Sequence, residues 1–571
     1  MGSRKLLSLA TVLVSLAVIR VVLTYKNTAQ GFDEPCHVAA SIELLDKHTY
    51  TLDPVHPPLS RLAIGIPLYV AGERFPRLNP EEAINPDYNV VGNHILYNDA
   101  HYLRNLILAR TAMLPFLIAA SVLIYFWCRR EFGDSTAIVG LAVLTTTPIL
   151  LAFSSLAYTD MVAATTQCAA LFAFAYWLQS PGRRSTWLLG LATGLAISAK
   201  FTSFLFLPCA AVAIVACRWW LTRESVWTLL KARDKSLVTA LALAIVVLWA
   251  TYGFSIGQVR DGTQISAEHM PSFQHFPAPI SKIARALVVW NPRVPAPALW
   301  RGVAEAWVLN KTSPPAYLLQ SIRRGGWWYF FLVGLVFKTP LPLLILFFGG
   351  LLCLKTYVHE KSWSALVPAV SVFAILLTTT TVKYNAGMRH VLVIFLLMAV
   401  VAGQGTAYLW RLDGKERTIA RCAVVLLLCW QGVETVRAQS DFVSYFNELA
   451  GTDPSRIMVA GCDLDCGQDL FRLANELRAR SVSHVGIAIW SSAEITRSGL
   501  PDFTVLQAFK PTTGWIAVSA RSRRFDDVLH MTYPRGSLSW LEKYEPVSTI
   551  GHTMRLYYIP PDSSVISKNG R

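Results

Sequence analysis

Charge is scarce in this sequence. Only 15% of its 571 residues are Asp, Glu, Lys or Arg, against roughly 25% in soluble globular chains. Acidic residues are the scarcer sign, 36 against 52 basic. So little charge excludes a cytosolic enzyme and a disordered chain. Ten cysteines are ordinary usage, too sparse for a secreted disulfide scaffold, and several (Cys168, Cys209, Cys353) lie in apolar runs as small hydrophobes. There is no internal repeat and no low-complexity tract. No cluster of His, Cys and Asp has metal-ligand spacing, so the sequence requires neither a divalent metal nor another cofactor. What is abundant is apolar: 53% of the residues, with a mean hydropathy of +0.40. The chain reads as a polytopic membrane protein. Its net charge of +16 would suggest nucleic acid in a soluble protein; here the positive-inside rule accounts for it, and no nucleic-acid partner is expected.

Apolar runs of about 20 residues can cross a bilayer as helices. Eleven are expected, over 6–24, 106–127, 135–153, 161–178, 186–199, 201–217, 237–255, 328–354, 364–381, 391–410 and 419–436. The first lacks a small-residue cleavage site and reads as an anchor rather than a signal peptide. One long tilted helix also fits 186–217, but charge parity selects two. Seventeen basic residues fall in short loops of one side, among them Arg129, Arg130, Arg183, Arg184, Arg218 and Arg223, against three (Lys200, Lys383, Arg389) on the other. The basic clusters on both sides of 186–217 require an even number of crossings, with Lys200 at an outer hairpin. The expectation is a multi-pass protein of the cell inner membrane with a cytoplasmic N-terminus and an extracytoplasmic C-terminal tail.

Three segments are too long and polar to be plain connectors, and all fall outside: 25–105, 257–327 and 437–571. The first two hold amphipathic stretches and interfacial aromatics, which predict helices lying on the membrane. The third alternates expected strands (456–460, 484–490, 514–519, 553–559) with a helix at 467–479, a small α/β domain. The division is thus 1–436 for the transmembrane domain and 437–571 for the C-terminal domain.

Several residues carry chemistry. Asp33-Glu34-Pro35 opens the first outer loop. Asp33 suits helix capping ahead of Pro35; it equally suits a surface carboxylate that takes a proton from an attacking hydroxyl. His56-Pro57-Pro58-Leu59 fixes an extended chain before an apolar helix. Ala157-Tyr158-Thr159-Asp160 joins two spans with no other charge between them. An unpaired carboxylate costs about 2.5–3.5 kcal/mol at mid-membrane, so Asp160 calls for a partner, a polar cavity or a cap. Lys200, Lys338 in Phe337-Lys338-Thr339-Pro340, and Arg389-His390 share the outer side. Each alone would snorkel; together with the carboxylates they suit an anionic phosphate at headgroup level with a polyprenyl tail in the bilayer. Cys462 and Cys466 are either a disulfide or two partly buried thiols. Asn310-Lys311-Thr312 is a glycosylation sequon facing outward, without meaning in a bacterial chain, which this one is taken to be.

These residues, in this order, resemble a GT-C glycosyltransferase of the superfamily of protein O-mannosyltransferases and aminoarabinose lipid A transferases (glycosyltransferase family 39). The resemblance rests on Asp33-Glu34, His56-Pro57-Pro58-Leu59, Tyr158-Thr159-Asp160, Lys338-Thr339-Pro340 and Asn385-Ala386-Gly387-Met388-Arg389-His390, and runs over about residues 1–436. Tyr445-Phe446-Asn447-Glu448 and Asp463-Leu464-Asp465-Cys466-Gly467-Gln468-Asp469-Leu470 are similar to a segment of bacterial carrier-dependent members, with Cys466 where Trp is usual. The resemblance implies a polyprenyl-phosphate sugar donor and inverting transfer to a glycan, lipid or protein acceptor. Asp33 would be the catalytic base or organise the acceptor, with Glu34 assisting. Arg389, Lys338, Lys200 and His390 would hold the donor phosphate, and His56, Asp160 and Tyr158 would line the cavity.

Two other functions compete. A flippase for lipid-linked sugar would favour broken helices, midplane charges and repeats, whereas here the charges gather on one side under long loops. A non-catalytic assembly or sensor protein would leave Asp33, Asp160 and Arg389 without a shared purpose.

Overall fold

The computed structural model describes residues 3–561 apart from 85, 260–277, 280, 283–285, 287–289, 361, 460 and 530. The middle of the 257–327 loop and the end of the C-terminal segment, 562–571, therefore lie outside the described residues. The chain is a helical, multi-pass membrane protein. Among the described residues, eight helices are long and apolar enough to cross a bilayer, from Arg4–Thr24 to Gly414–Arg437. A ninth candidate is the bent pair Asp134–Thr145 and Pro148–Ser154, which meet at 63°. Pro148 has no N–H to continue the first helix, so the expected straight span over 135–153 is kinked. The remaining two expected spans are the shorter helices Arg183–Ala199 and Trp363–Thr379. Between 186 and 217 there are indeed two helices: Lys200 is extended (φ −160°, ψ 139°), and Ser203–Thr222 begins after it.

Helices Asp160–Gln179 and Met388–Leu409 run through the centre of the bundle and are almost wholly buried. Small residues let their neighbours approach: Gly140, Gly350, Gly403 and Gly405 each face backbone of an adjoining helix. The expected span 328–354 is interrupted. Phe330–Lys338 ends at Thr339-Pro340, and Leu341–His359 starts afresh. This break leaves Lys338 at a helix C-terminus, where a cation is favoured.

The 25–105 segment folds into short helices, chiefly Glu34–Ile42, Pro58–Val70 and Tyr88–Leu96. The first two carry proline in their opening turn, where a missing N–H costs nothing. Helix Pro297–Thr312 exposes Trp300 and Trp307 from the second long loop.

In the C-terminal segment, a five-stranded mixed sheet has the order 548–550, 554–559, 514–519, 484–488, 502–505. Helix Leu470–Ala479 buries Leu470, Leu473 and Leu477 with Val485 and Ile487 of the sheet. Strands 502–505 and 548–550 were not expected, being short edge strands. Of the expected strand 456–460, the described residues 456–459 form none, and residue 460 lies outside the described residues: Pro454–Arg456 is a single 3₁₀ turn. Ile457 and Met458 are apolar because they pack on the membrane-helix core, and the Ile457 carbonyl accepts from Leu319 N–H.

Candidate active site

Asp33 sits at the N-cap of helix Glu34–Ile42, yet its side chain makes no cap hydrogen bond. Its carboxylate instead accepts from Arg389 Nη1 at 2.6 Å. Arg389 leaves the chain one turn before helix Leu392–Leu409, after Gly387, whose φ of +99° suits glycine. Two charges 356 positions apart are thus brought together. Both line a cavity, with Phe32, Tyr384, Cys462, Asp465, Trp490 and Arg521 among the other lining residues. The cavity is therefore built from the 25–105 segment, the end of a membrane helix and the C-terminal segment together.

Glu34, the neighbour of Asp33, turns the other way. It is fully buried against Arg110, with Oε1 and Oε2 accepting from the guanidinium at 2.9 and 2.7 Å. Gly31 N–H and Ala157 N–H occupy the same two oxygens. Every lone pair on Glu34 is engaged, so it carries no free acceptor toward the cavity; it ties the loop to the membrane helices. Arg110 donates further to the carbonyls of Tyr25, Thr28 and Ala29.

Tyr158 is the hub behind Asp33. Its hydroxyl accepts from Asp33 N–H at 3.0 Å and touches both sulfurs of a Cys462–Cys466 disulfide, at 3.2 and 3.1 Å. The Arg389 guanidinium lies over the Tyr158 ring, 5.1 Å from its centre. Of the two states open to these cysteines, the disulfide is the one present.

Asp160 opens helix Asp160–Gln179 and pairs with Lys200 in a buried contact. Lys200 therefore does not snorkel, and much of its charge is spent on Asp160. Lys338 also lies away from Asp33: its Nζ donates to the carbonyls of Val443 and Asp463 at 2.8 and 2.5 Å and sits over the Phe446 ring. It fastens the start of the C-terminal segment to the membrane helices. Asp463 returns the favour by accepting from Met388 N–H, immediately before Arg389. The Nε2 of His390 is buried with no partner among the described residues, and its ring meets Tyr384 edge-on.

His56 forms a second polar centre with residues the sequence reading passed over. Its Nδ1 lies 2.8 Å from Asp53, which also holds His37 Nδ1 at 3.5 Å. Arg61 grips the Asp53 carbonyl. Cys36, His37 and Asp53 each offer one ligand atom, all within 4.8 Å of one another. This is a donor set that suits a zinc-like ion, although Asp53 is already engaged by both imidazoles and Arg61 adds positive charge beside it.

The electrostatics separate these groups. Burial favours the neutral acid for Asp33, but Arg389, with His37 and His56, outweighs it and holds the carboxyl below its usual range. Burial likewise opposes the Asp53 charge, and His56 and His37 overcome it to hold Asp53 far below normal. Burial lowers His56 below the ordinary imidazole value against the pull of Asp53. At neutral pH the site thus presents two carboxylates and a neutral His56.

Arg110 could have been noticed as a lone charge inside an apolar run, and Asp53 by its spacing of three from His56. Trp490 and Arg521 carry no such signal. Their place at the cavity follows from tertiary packing: Phe32 stacks on Trp490 at 4.3 Å, and Arg521 covers the same indole at 4.0 Å.

Residues 109–252 match the dolichyl-phosphate-mannose-protein mannosyltransferase family. No curated protein matches the sequence. Among solved structures, ArnT from Cupriavidus metallidurans bound to undecaprenyl phosphate is 13% identical, covers 96% of this chain and 97% of that one, and has a TM-score of 0.49. The archaeal oligosaccharyltransferase AglB from Archaeoglobus fulgidus, in complex with an inhibitory peptide and a dolichol-phosphate, is 12% identical over 98% of this chain and 76% of that one, with a TM-score of 0.46. The Saccharomyces cerevisiae Pmt1-Pmt2 complex bound to its sugar donor is 15% identical over 44% of this chain and 34% of that one, with a TM-score of 0.34.

Proposed function

We propose that the protein is an inverting glycosyltransferase that moves a sugar from a polyprenyl-phosphate donor to an acceptor at the extracytoplasmic face of the membrane. The observation that carries this reading is the Asp33–Arg389 pair at the wall of a cavity where outer loops meet membrane helices. The family match over 109–252 supports the donor class.

In this reading the acceptor hydroxyl attacks the anomeric carbon, the bond from that carbon to the phosphate oxygen breaks, and the lipid phosphate leaves with the electron pair. Arg389 spends one amine on Asp33 and keeps other N–H donors for the departing phosphate. A guanidinium held in place by Asp33 stabilises that charge as it develops. Asp33, kept ionised by Arg389, accepts the hydrogen bond of the attacking hydroxyl. Its low basicity suits a transfer in which the sugar cation forms early and the proton passes to the Asp33 carboxylate late, once the acceptor oxygen has bonded to the anomeric carbon and become acidic. Lys200 with Asp160, and His390, set the polar wall behind the phosphate; Lys338 and Glu34 hold the loops that carry the site. If the acceptor is itself a phosphate, no base is needed and Asp33 only positions it.

The test is to incubate the purified protein with polyprenyl-phosphate sugars and measure released polyprenyl phosphate. Donor consumption that persists at full rate in both Asp33→Asn and Arg389→Ala removes the site from the reaction. Lipid-linked sugar that changes leaflet without being consumed would make the protein a flippase instead.

A further inference from the structure

A second concentration of charge lies apart from the Asp33–Arg389 cavity. Asp453 is surrounded by four guanidiniums, from Arg456, Arg523, Arg524 and Arg555. Four cations against one carboxylate leave a formal excess of three. Asp453 Oδ2 accepts from Arg523, Arg524 and Arg555 at 3.1, 3.0 and 3.2 Å, and its Oδ1 meets Ser455 and Arg523. A carboxylate offers about four lone-pair positions, so Asp453 has none to spare. The four arginines bring five N–H donors each. Arg523 Nε is buried with no partner among the described residues.

Two of the arginines are recessed and two are not: Arg555 keeps 30% of its side-chain surface and Arg456 66%. Arg523 and Arg524 keep only 14% and 15% of their side-chain surface, and Asp453 keeps 18%. Burial, with Arg524 and Arg555 close by, lowers Arg523 below its usual value despite Asp453. Like charges gathered in a half-buried hollow repel one another unless an anion joins them. Three separate pieces of chain make this hollow: the turn Pro454–Arg456, the helix Ala520–Phe525 and the strand Met554–Ile559. The same helix sends Arg521 to the catalytic cavity, where Asp527 neutralises it.

We infer that the hollow formed by Arg456, Arg523, Arg524 and Arg555 around Asp453 is a binding site for a phosphate-class anion. Planar guanidinium forks match the oxygens of a phosphate monoester or inorganic phosphate in pairs, and a doubly charged tetrahedral anion offsets most of the excess of three. The site stands on its own geometry and holds whether or not the transfer reaction assigned above is correct.

Isothermal titration of the purified full-length protein with inorganic phosphate, at ionic strength held constant with sodium chloride, tests it. The expected result is saturable binding with one phosphate per chain and a phosphate-dependent rise in the thermal unfolding midpoint. Arg523→Gln with Arg524→Gln should abolish both. Arg456→Gln with Arg555→Gln, at the more exposed pair, should weaken binding tenfold or more while the protein stays folded, and decides the matter if the first variant does not fold. Heats that follow ionic strength alone, or unchanged affinity in the exposed pair, would overturn the inference. Nanodiscs separate the sources of phosphate. Loss of the phosphate heat in phosphatidic acid nanodiscs, with retention in phosphatidylcholine, identifies a lipid headgroup. Retention in both identifies a soluble phosphate.

Discussion

Arg389 Nη1 meets Asp33 Oδ2 at 2.6 Å, bridging the 25–105 segment to the start of a central membrane helix. Each partner fixes the state of the other: Arg389 keeps Asp33 ionised, and Asp33 aims the guanidinium at the cavity. Arg389→Ala should lower transfer about 10²–10³-fold, the usual loss when a preorganised donor is removed from a developing oxyanion, and Asp33→Asn about 10²–10⁴-fold, the usual loss of a positioned general base. Arg389→Lys should recover little of it, since an ammonium lacks the planar fork. Polyprenyl phosphate released per minute is the measurement, and near-native rates in Arg389→Lys would show that only charge matters there.

Glu34 predicts a different phenotype from its neighbour. The Glu34–Arg110 pair is wholly buried, and taking away one member of such a pair costs about 3–5 kcal/mol because the other is left uncompensated. Glu34→Gln should therefore reduce folded protein recovered in detergent and lower its unfolding midpoint, where Asp33→Asn does neither. A Glu34→Gln protein of unchanged midpoint but lost activity would return Glu34 to the chemistry.

His56 sets an acid limit. Burial depresses it below its ordinary value of 6.5 in spite of Asp53. A depressed histidine is neutral in the fold while the unfolded chain still binds a proton, so its contribution to stability is complete above pH 6.5 and is lost as pH falls toward the folded value. Transfer should hold constant from neutral pH down to 6.5 and fall only below it, as the imidazole gains a charge near His37 and Lys200. In His56→Gln that acid limb should disappear from a pH–rate profile. A limb unchanged by the substitution would assign it elsewhere.

Much of this architecture is legible in the sequence because lipid demands long apolar runs, and charges inside or beside them stand out. Lys200, Asp160 and Arg389 are visible for that reason. What such charges touch is less legible. Asp33 and Glu34 are adjacent and chemically alike, yet one helical step sends Glu34 inward to Arg110 and leaves Asp33 at the cavity. Lys338 looks like a phosphate ligand by its position but is captured by the Val443 and Asp463 carbonyls. The breaks at Pro148 and Pro340 carry a sequence signal that hydropathy alone smooths over. The Arg456–Arg555 hollow carries none, since its members come from three stretches of chain that only folding unites.

Gly387 predicts how closely two segments must approach. Its φ is +99°, and an added Cβ would strike the Gly461 carbonyl. Asp463, two residues on from Gly461, caps Met388 N–H just before Arg389. Gly387→Ala should cost about 1–3 kcal/mol in backbone strain and displace Arg389, so that both the thermal midpoint and the transfer rate drop. Ala386→Gly, which adds no atom, should change the stability by no more than about 1 kcal/mol. A Gly387→Ala protein with native midpoint and rate would mean the two segments are free to part.

The Cys462–Cys466 bridge holds the loop on which Tyr158 rests, with a Cα separation of 4.6 Å and both sulfurs against the Tyr158 hydroxyl. Closing so short a loop restricts the unfolded chain only modestly, worth about 2 kcal/mol on a chain-entropy account. The larger consequence is local. Cys462 lines the cavity, and Tyr158 anchors Asp33 N–H, so opening the bridge frees the wall on which Asp33 is set. Cys462→Ser with Cys466→Ser, or reduction of the native protein, should lower the unfolding midpoint slightly and transfer strongly. Tyr158→Phe should reproduce the loss of transfer while its midpoint, with the bridge intact, still falls slightly on reduction. Transfer unaffected by reductant, in protein whose two thiols are shown by alkylation to be free, would separate the disulfide from the reaction.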